Sequence, residues 1–287
     1  MTIEQIPAGP RPDDPAPDPA PWTNNAGVVK FIEFPARLPS MSRRAFHLYW
    51  TRHHSVHVMN VMSFAQFMRK YSTGHVGDAA IPGLPGRYRQ DTAFEGAAEV
   101  WIDNLDQVGA WLGHPAYAEL IQPDETRFIH ADGVEVIVAK EERLHRGERD
   151  LNENGLIKVY LLYSRRVATG HDAFHAAASD CGRALLGDGA TAAALRQLVL
   201  SHRIREPWPE GLPLAGIDTV MELWFAGPEE LGRFFAAPAV DDTLRAFEER
   251  WVDAGRLRAV IARMRVIHDE FSFQPSTTQP LAFAWEG

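Results

Sequence analysis

Gly27-Val28-Val29-Lys30-Phe31-Ile32-Glu33-Phe34 returns later in the chain as Gly155-Leu156-Ile157-Lys158-Val159-Tyr160-Leu161-Leu162. Glycine opens both stretches, lysine holds the fourth place in both, and β-branched, aliphatic and aromatic residues fill most of the rest, the composition of a strand. The match runs on without a gap: Arg37 falls on Arg165, and Ala45-Phe46-His47 on Ala173-Phe174-His175. Ser72-Thr73-Gly74-His75-Val76 has a looser counterpart in Val199-Leu200-Ser201-His202-Arg203, and Ala98-Glu99-Val100-Trp101 pairs with Met221-Glu222-Leu223-Trp224. The later pairs are spaced slightly closer, which places small deletions in loops, where they cost little. A repeat of this length is a duplicated domain and not a solenoid unit.

Both copies read alike. A strand (27–35, 155–163) leads into a helix starting at Ser42 or at His171-Asp172, and a second strand follows near 64–74 and 195–204. After a loop rich in glycine and proline (78–90, 206–216) come a third strand (97–103, 218–225), a helix starting near Asp106 or Pro228, and a closing strand (133–142, 257–268). The order βαββαβ defines a ferredoxin-like unit, an antiparallel sheet with helices on one face. Its bare face needs a cover, and two linked copies packed sheet to sheet supply one. The sequence therefore predicts an α+β protein of two tandem ferredoxin-like repeats, 25–148 and 149–270, forming a pseudo-dimer of α+β-barrel type. Residues 1–24, with Pro7, Pro10, Pro12, Pro15, Pro17, Pro19 and Pro21, read as an extended arm anchored by Trp22. The tail 271–287, with Phe283 and Trp285, reads as a second strap. Straps of this kind suit a homodimer.

The bulk numbers exclude several classes. A hydrophobic content of 45% with 23% charged residues is that of an ordinary globular protein. A net charge of -9 and a pI near 5.7 argue against nucleic acid or an anionic membrane as partner. The single cysteine, Cys181, allows no intrachain disulfide and no thiolate metal cluster, which fits a reducing compartment. No apolar run approaches the roughly 20 residues of a membrane span, and the N-terminus lacks the features of a signal peptide, so the expected location is the cytoplasm.

The chemistry concentrates in Phe46-His47-Leu48-Tyr49-Trp50-Thr51-Arg52-His53-His54-Ser55-Val56-His57. On a regular helix His47, Trp50, His54 and His57 share one face, with Tyr49 and His53 on a neighbouring stripe. Histidine titrates nearest neutrality, and several such rings on one face are costly to bury without a task. The His53-x-x-x-His57 spacing lacks the glutamate of a zinc signature, so no metal is expected. Gly83-x-x-Gly86 sits among prolines ahead of a strand, which is not a dinucleotide fingerprint, and no cofactor is expected.

With the element order and Phe46-x-x-Tyr49-Trp50-x-x-x-His54 established, the chain resembles the EthD family of dimeric α+β-barrel proteins. Tyr71 to His75 and Glu99-Val100-Trp101 match further segments of the family pattern. The resemblance implies a pocket for a small, oxygenated, mostly planar molecule and histidine acid–base chemistry without a cofactor. The second copy departs from it: Ala177-Ala178 stand where the first has Tyr49-Trp50, and Gly182 stands opposite His54. The first copy is therefore expected to carry the site.

Within it, His54 is the expected general base or acid, and His75, at the end of the second strand, its complement across the pocket. Tyr49 is the expected donor to a developing oxyanion. Trp50 and Trp101 are expected as flat walls, His47 as a contact with a structural role shared by His175, and Arg52, Arg87, Arg89 and Lys30 as candidate cations for an acidic substrate. The expected activity is that of a cofactor-independent lyase, a decarboxylase or dehydratase, on a small aromatic, phenolic or polyketide-like compound. A muconolactone-type isomerase would use the same residues; a non-catalytic ligand-binding protein and a cofactor-free oxygenase are the other readings.

Overall fold

The computed structural model describes residues 27–77, 84–90, 93–146, 152–187, 189–204 and 216–271. The proline-rich arm with Trp22, and the tail with Phe283 and Trp285, lie outside the described residues.

The first half runs β1 (Val29–Phe34), α1 (Arg43–Tyr49), a π-helical turn (Trp50–His54), α2 (Ser55–Asn60), α3 (Met62–Ala65), β2 (Lys70–Val76), β3 (Arg89–Gln90) and β4 (Gly96–Ile102). It continues through α4 (Leu105–Leu112), a second π turn (Tyr117–Ile121), α5 (Gln122–Glu125) and β5 (Glu135–Arg146). The second half runs β6 (Ile157–Tyr163), α6 (His171–Leu185), α7 (Gly189–Ala194), β7 (Gln197–Arg203), β8 (Thr219–Phe225), α8 (Pro228–Ala236), α9 (Pro238–Trp251) and β9 (Arg258–Asp269). The second strand of the first half starts at Lys70, later than the expected position near 64. Met62–Ala65 form a helical turn, burying Phe64 and Met68 under the helix layer before the chain extends at Lys70.

Among the described residues eight strands close a barrel in the order β2-β4-β1-β5-β7-β8-β6-β9, with β9 returning to β2 and every neighbouring pair antiparallel. The two 12-residue strands make the closure possible. β5 pairs with β1 through Glu135–Ala139 and with β7 through Ala139–Arg146, so one strand serves both halves. β9 does the same with β6 and β2. Closure leaves no open edge among these eight strands. β3 adds in parallel to the start of β9, at Arg258 and Ala259, beyond the reach of β2.

Alternation along each strand sorts the side chains into two cores. Ile32, Phe34, Tyr160, Leu162, Val220, Trp224, Val260 and Met264 fill the barrel interior. Val29, Phe31, Val100 and Val138 face the helices of the first half, and Val159, Leu161, Leu198 and Leu223 those of the second. At one level the interior is ionic. Lys30 Nζ lies 2.6 Å from Glu99 and 2.8 Å from Glu222, and Lys158 Nζ lies 2.5 Å from Glu99 and bonds Glu222 as well, all four side chains being buried. The two lysines are the repeated lysines of the opening stretches, and each glutamate bridges both.

Candidate active site

The helix that carries the histidine cluster begins at Ser42, whose hydroxyl accepts from the Ala45 amide at 3.2 Å, an N-cap. It does not continue as a regular α-helix. The Ser55 amide reaches back five residues to the Trp50 carbonyl, and this π turn inserts one residue into the face. Phe46, His47 and Trp50 are buried before it; His54, Ser55 and Val58 are buried after it. The four rings expected on one face therefore divide. His47 looks onto β2, and His54 looks toward α5.

α5 is itself set by the second π turn, in which the Gln122 amide donates to the Tyr117 carbonyl. α2 touches this second turn, His57 Nε2 donating to the Leu120 carbonyl at 3.1 Å. Between them His54 Nδ1 lies 2.9 Å from Asp124 Oδ2, and Tyr49 donates to the other carboxylate oxygen at 2.5 Å. Arg127 stands 3.7 Å from Asp124 at the exposed rim. The hydrogen bond from His54 lowers the Asp124 carboxyl to about 2 against the opposing effect of burial, and Tyr49 adds to the lowering. Asp124 is thus an ionised acceptor at neutral pH, so neutral His54 carries its proton on Nδ1 and presents the Nε2 lone pair. Phe128, with ring centroids 4.9 Å from His54 and 5.2 Å from Tyr49, shields the group.

His75 does not face His54 among these contacts. Its Nδ1 lies 2.9 Å from His47 Nδ1, and Thr73 Oγ1 lies 3.0 Å from its Nε2. His47 Nε2 donates to the Val76 carbonyl at 3.0 Å, which makes His47 Nδ1 the acceptor, His75 Nδ1 the donor, and Thr73 a donor to His75 Nε2. Burial, with smaller effects from His47 and Arg265, holds His75 well below the ordinary imidazole range. The matched pair in the second half, His175 and His202, is also in contact, with tilted rings whose centroids are 4.6 Å apart. A histidine pair present in both halves reads as architecture between helix and sheet.

Other expected residues part company. Trp50 packs between Phe46 and His75 on the helix side of the sheet. Trp101 lies inside the barrel with Lys30 Nζ 4.7 Å from its ring centre, so the two tryptophans are on opposite faces and do not wall one pocket. Lys30 is likewise an interior residue, held well above its ordinary pKa because Glu222, Glu99 and Glu141 outweigh the opposing effect of burial. The even-numbered positions of β1 point inward, which the expected substrate role for Lys30 did not take into account. Arg52 is exposed on the π turn. The backbone of Arg89 forms β3, and its side chain lies outside the described set. Arg87 reaches to the second half, bonding Glu248 at 2.6 Å and Asp241. Tyr49 spends its hydroxyl proton on Asp124, which makes it a positioning group for the carboxylate before it is a donor to substrate.

Asp124 is the residue that the reading of the sequence missed. The signal was present in the repeat: where the first half has Tyr49, His54 and Asp124, the second has Ala177, Gly182 and Phe247, so the three are absent together. The helix differs there as well. α6 is an unbroken 15-residue α-helix, and a side-chain carbon on Gly182 would stand 2.3 Å from Leu144 Cδ1.

The closed antiparallel barrel with helices packed outside it, one half bearing a histidine–carboxylate site, places the protein among the α+β-barrel folds. Residues 38–132 match the family model of the EthD domain, and the matched segment holds His47, Tyr49, Trp50, His54, His75, Trp101 and Asp124. No curated protein matches the chain by sequence. Among solved structures it is similar to a protein of Fusobacterium nucleatum provisionally assigned as a monooxygenase, with TM-score 0.52 and 7% identity over 84% of this chain and 93% of that one. It is also similar to an anthrone oxidase-like protein, with TM-score 0.50 and 8% identity over 88% of this chain and 98% of that one. At these identities the likeness is one of fold. Among the described residues no helix is long and apolar enough to cross a membrane, and no group of three or more His, Cys, Asp or Glu side chains is arranged to hold a metal ion.

Proposed function

We propose that the first half is a cofactor-independent lyase that removes CO2 or water from a small phenolic or polyketide-like acid, with His54 as the proton-transfer group. The observation that carries this reading is the His54–Asp124 hydrogen bond of 2.9 Å. A carboxylate on Nδ1 fixes the tautomer, orients the ring and stabilises the imidazolium that forms when Nε2 takes a proton. A phenol that gives its proton to that nitrogen delocalises its charge into the ring, so that the carbon bearing the carboxylate can take a proton from solvent before CO2 leaves and the bonding electrons return to the ring. Trp50 and Phe128 limit water around the base. The same proposal takes the chain as a tandem duplication of a ferredoxin-like unit. The second copy has lost the site residues and serves as built-in partner for closing the barrel.

The test is a panel of hydroxybenzoic and hydroxycinnamic acids incubated with the purified protein, with CO2 release and product masses followed. The expected result is loss of CO2 or water from at least one phenolic acid, abolished by His54→Ala at an unchanged melting temperature. A product of unchanged mass would make the protein an isomerase. Stabilisation by a ligand that is recovered intact would make it a binding protein.

A further inference from the structure

The cations expected to hold an acidic substrate are Lys30, Arg52, Arg87 and Arg89, and none of them is placed for that task. Another guanidinium is. Met264 fills the barrel interior, so Arg265, the next residue of β9, points to the helix layer of the first half. Arg265 is only 4% exposed. Its Nη1 donates to the Thr51 carbonyl at 3.4 Å, its one hydrogen bond among the described residues. Nε is buried without a partner, and Nη2 lies on the same edge of the guanidinium. Thr51 belongs to the π turn that ends at His54, so this contact ties Arg265 to the segment that carries the base. On the same face of β9, Arg263 is exposed and Ile267 packs under the helices of the first half. Arg265 therefore stands at the rim of that layer, which gives a small ion an approach from solvent.

An uncompensated buried charge is costly, and a buried donor with no acceptor calls for an explanation. The chain has acid to spare, with 38 Asp and Glu against 29 Lys and Arg. Lys30, Lys70 and Lys158, cations buried as deeply, each lie on carboxylates. The second half shows what a filled arrangement looks like. β5 crosses to β7 as β9 crosses to β2, and Glu142 holds in β5 the place that Arg265 holds in β9, both strands having 12 residues. Glu142 accepts from the Ser179 hydroxyl and from Arg183 at 2.9 Å, and lies 3.4 Å from His202 Nε2. Ser179 follows His175 by four residues, as Thr51 follows His47. Equivalent places thus carry opposite charges, the acid with its partners in the protein and the guanidinium with one edge open.

We infer that Arg265 is the anion anchor of the first half, and that its open Nε–Nη2 edge receives the carboxylate of a small organic acid side-on, as two parallel N–H···O bonds. A planar fork matches a carboxylate in geometry as well as in charge. The second half then does more than close the barrel, because its last strand delivers the binding group to the other half. Taking the bound acid as the substrate rests on the lyase reading; the binding itself does not.

The test reads binding apart from turnover. Para-hydroxybenzoate and its neutral counterpart para-hydroxybenzamide are titrated into the full-length protein and into Arg265→Met by isothermal calorimetry at constant salt. The parent is expected to bind the acid about tenfold or more tightly than the amide, and Arg265→Met to bind both alike. Urea unfolding without ligand is the second readout. Removing an uncompensated buried cation is expected to leave the midpoint of Arg265→Met at or above that of the parent. Equal affinity of the parent for acid and amide, or a preference for the acid that survives in Arg265→Met, overturns the anchor. A lowered midpoint with no preference for the acid makes Arg265 a structural brace for the π turn. Binding of the acid through Arg265 with no phenolic acid consumed keeps the anchor and removes the lyase. Turnover by Arg265→Met at the parent KM keeps the lyase and overturns the anchor.

Discussion

His54 Nδ1 and Asp124 Oδ2 stand 2.9 Å apart although 70 residues separate them, and each is delivered by its own π-helical turn. Neither turn has a counterpart in the helices of the second half, α6 and α9, which run as regular α-helix. The irregular turns and the His54–Asp124 hydrogen bond occur together, so the backbone departure is part of how the site is built.

Asp124 couples this site to stability at low pH. Its carboxyl, about 2 in the folded protein, has an ordinary value near 3.9 when unfolded. The contribution is present above about pH 4 and is lost as pH falls toward 2, and it amounts to roughly 2 kcal/mol. Asp124→Asn is expected to flatten acid unfolding in that window, read by circular dichroism at stepped pH, while the parent protein shows the loss.

Three buried histidines act at higher pH. Burial lowers His75 well below the ordinary range, His175 to about 2, and His202 in the same direction, although Glu142 partly opposes the last. Unfolded histidine takes a proton near 6.5, so the unfolded state binds more protons below that pH and stability falls as the medium is acidified. Each histidine contributes a slope of about 1.4 kcal/mol per pH unit below its unfolded value. Urea unfolding between pH 7 and 5 is expected to show this decline, and His175→Phe is expected to reduce the slope by about one histidine's share.

The four-charge centre of the barrel tests a different balance. Lys158→Met leaves two buried carboxylates short of a partner and is expected to cost about 3–5 kcal/mol in chemical denaturation. Lys158→Met combined with Glu222→Leu removes opposite charges together and is expected to cost clearly less than the single change.

Gly182 in the second half packs over β5 and β7, at the place where Ser55 in the first half packs over Tyr71 of β2. Gly182→Ala brings its new carbon against Leu144 Cδ1 at 2.3 Å, but Leu144 is half-buried and can swing aside, so the expected cost is about 1 kcal/mol. Gly182→His also meets buried Leu198 and Leu200 and is expected to cost about 3 kcal/mol or more without creating a second site. Thermal unfolding of the two variants separates these effects.

The likeness of Gly27–Phe34 to Gly155–Leu162, the strand–helix order and the absence of Tyr49 and His54 from the matching stretch of the second half were legible from residue order alone, because alternation and composition are local properties. The histidine cluster was visible, and so was its place in the first half. Three things were decided only by the tertiary structure. Closure of the sheet fixed which face of each strand became the interior, which turned Lys30 and Trp101 from pocket candidates into barrel core. The π turn broke the helical periodicity that placed His47 and His54 on one face, and the packing of α1 against β2 joined His75 to His47. Asp124 joined the site through hydrogen bonds between two separate helices. Periodicity reports the neighbours of a residue along one element, whereas a catalytic pairing depends on which elements pack against each other.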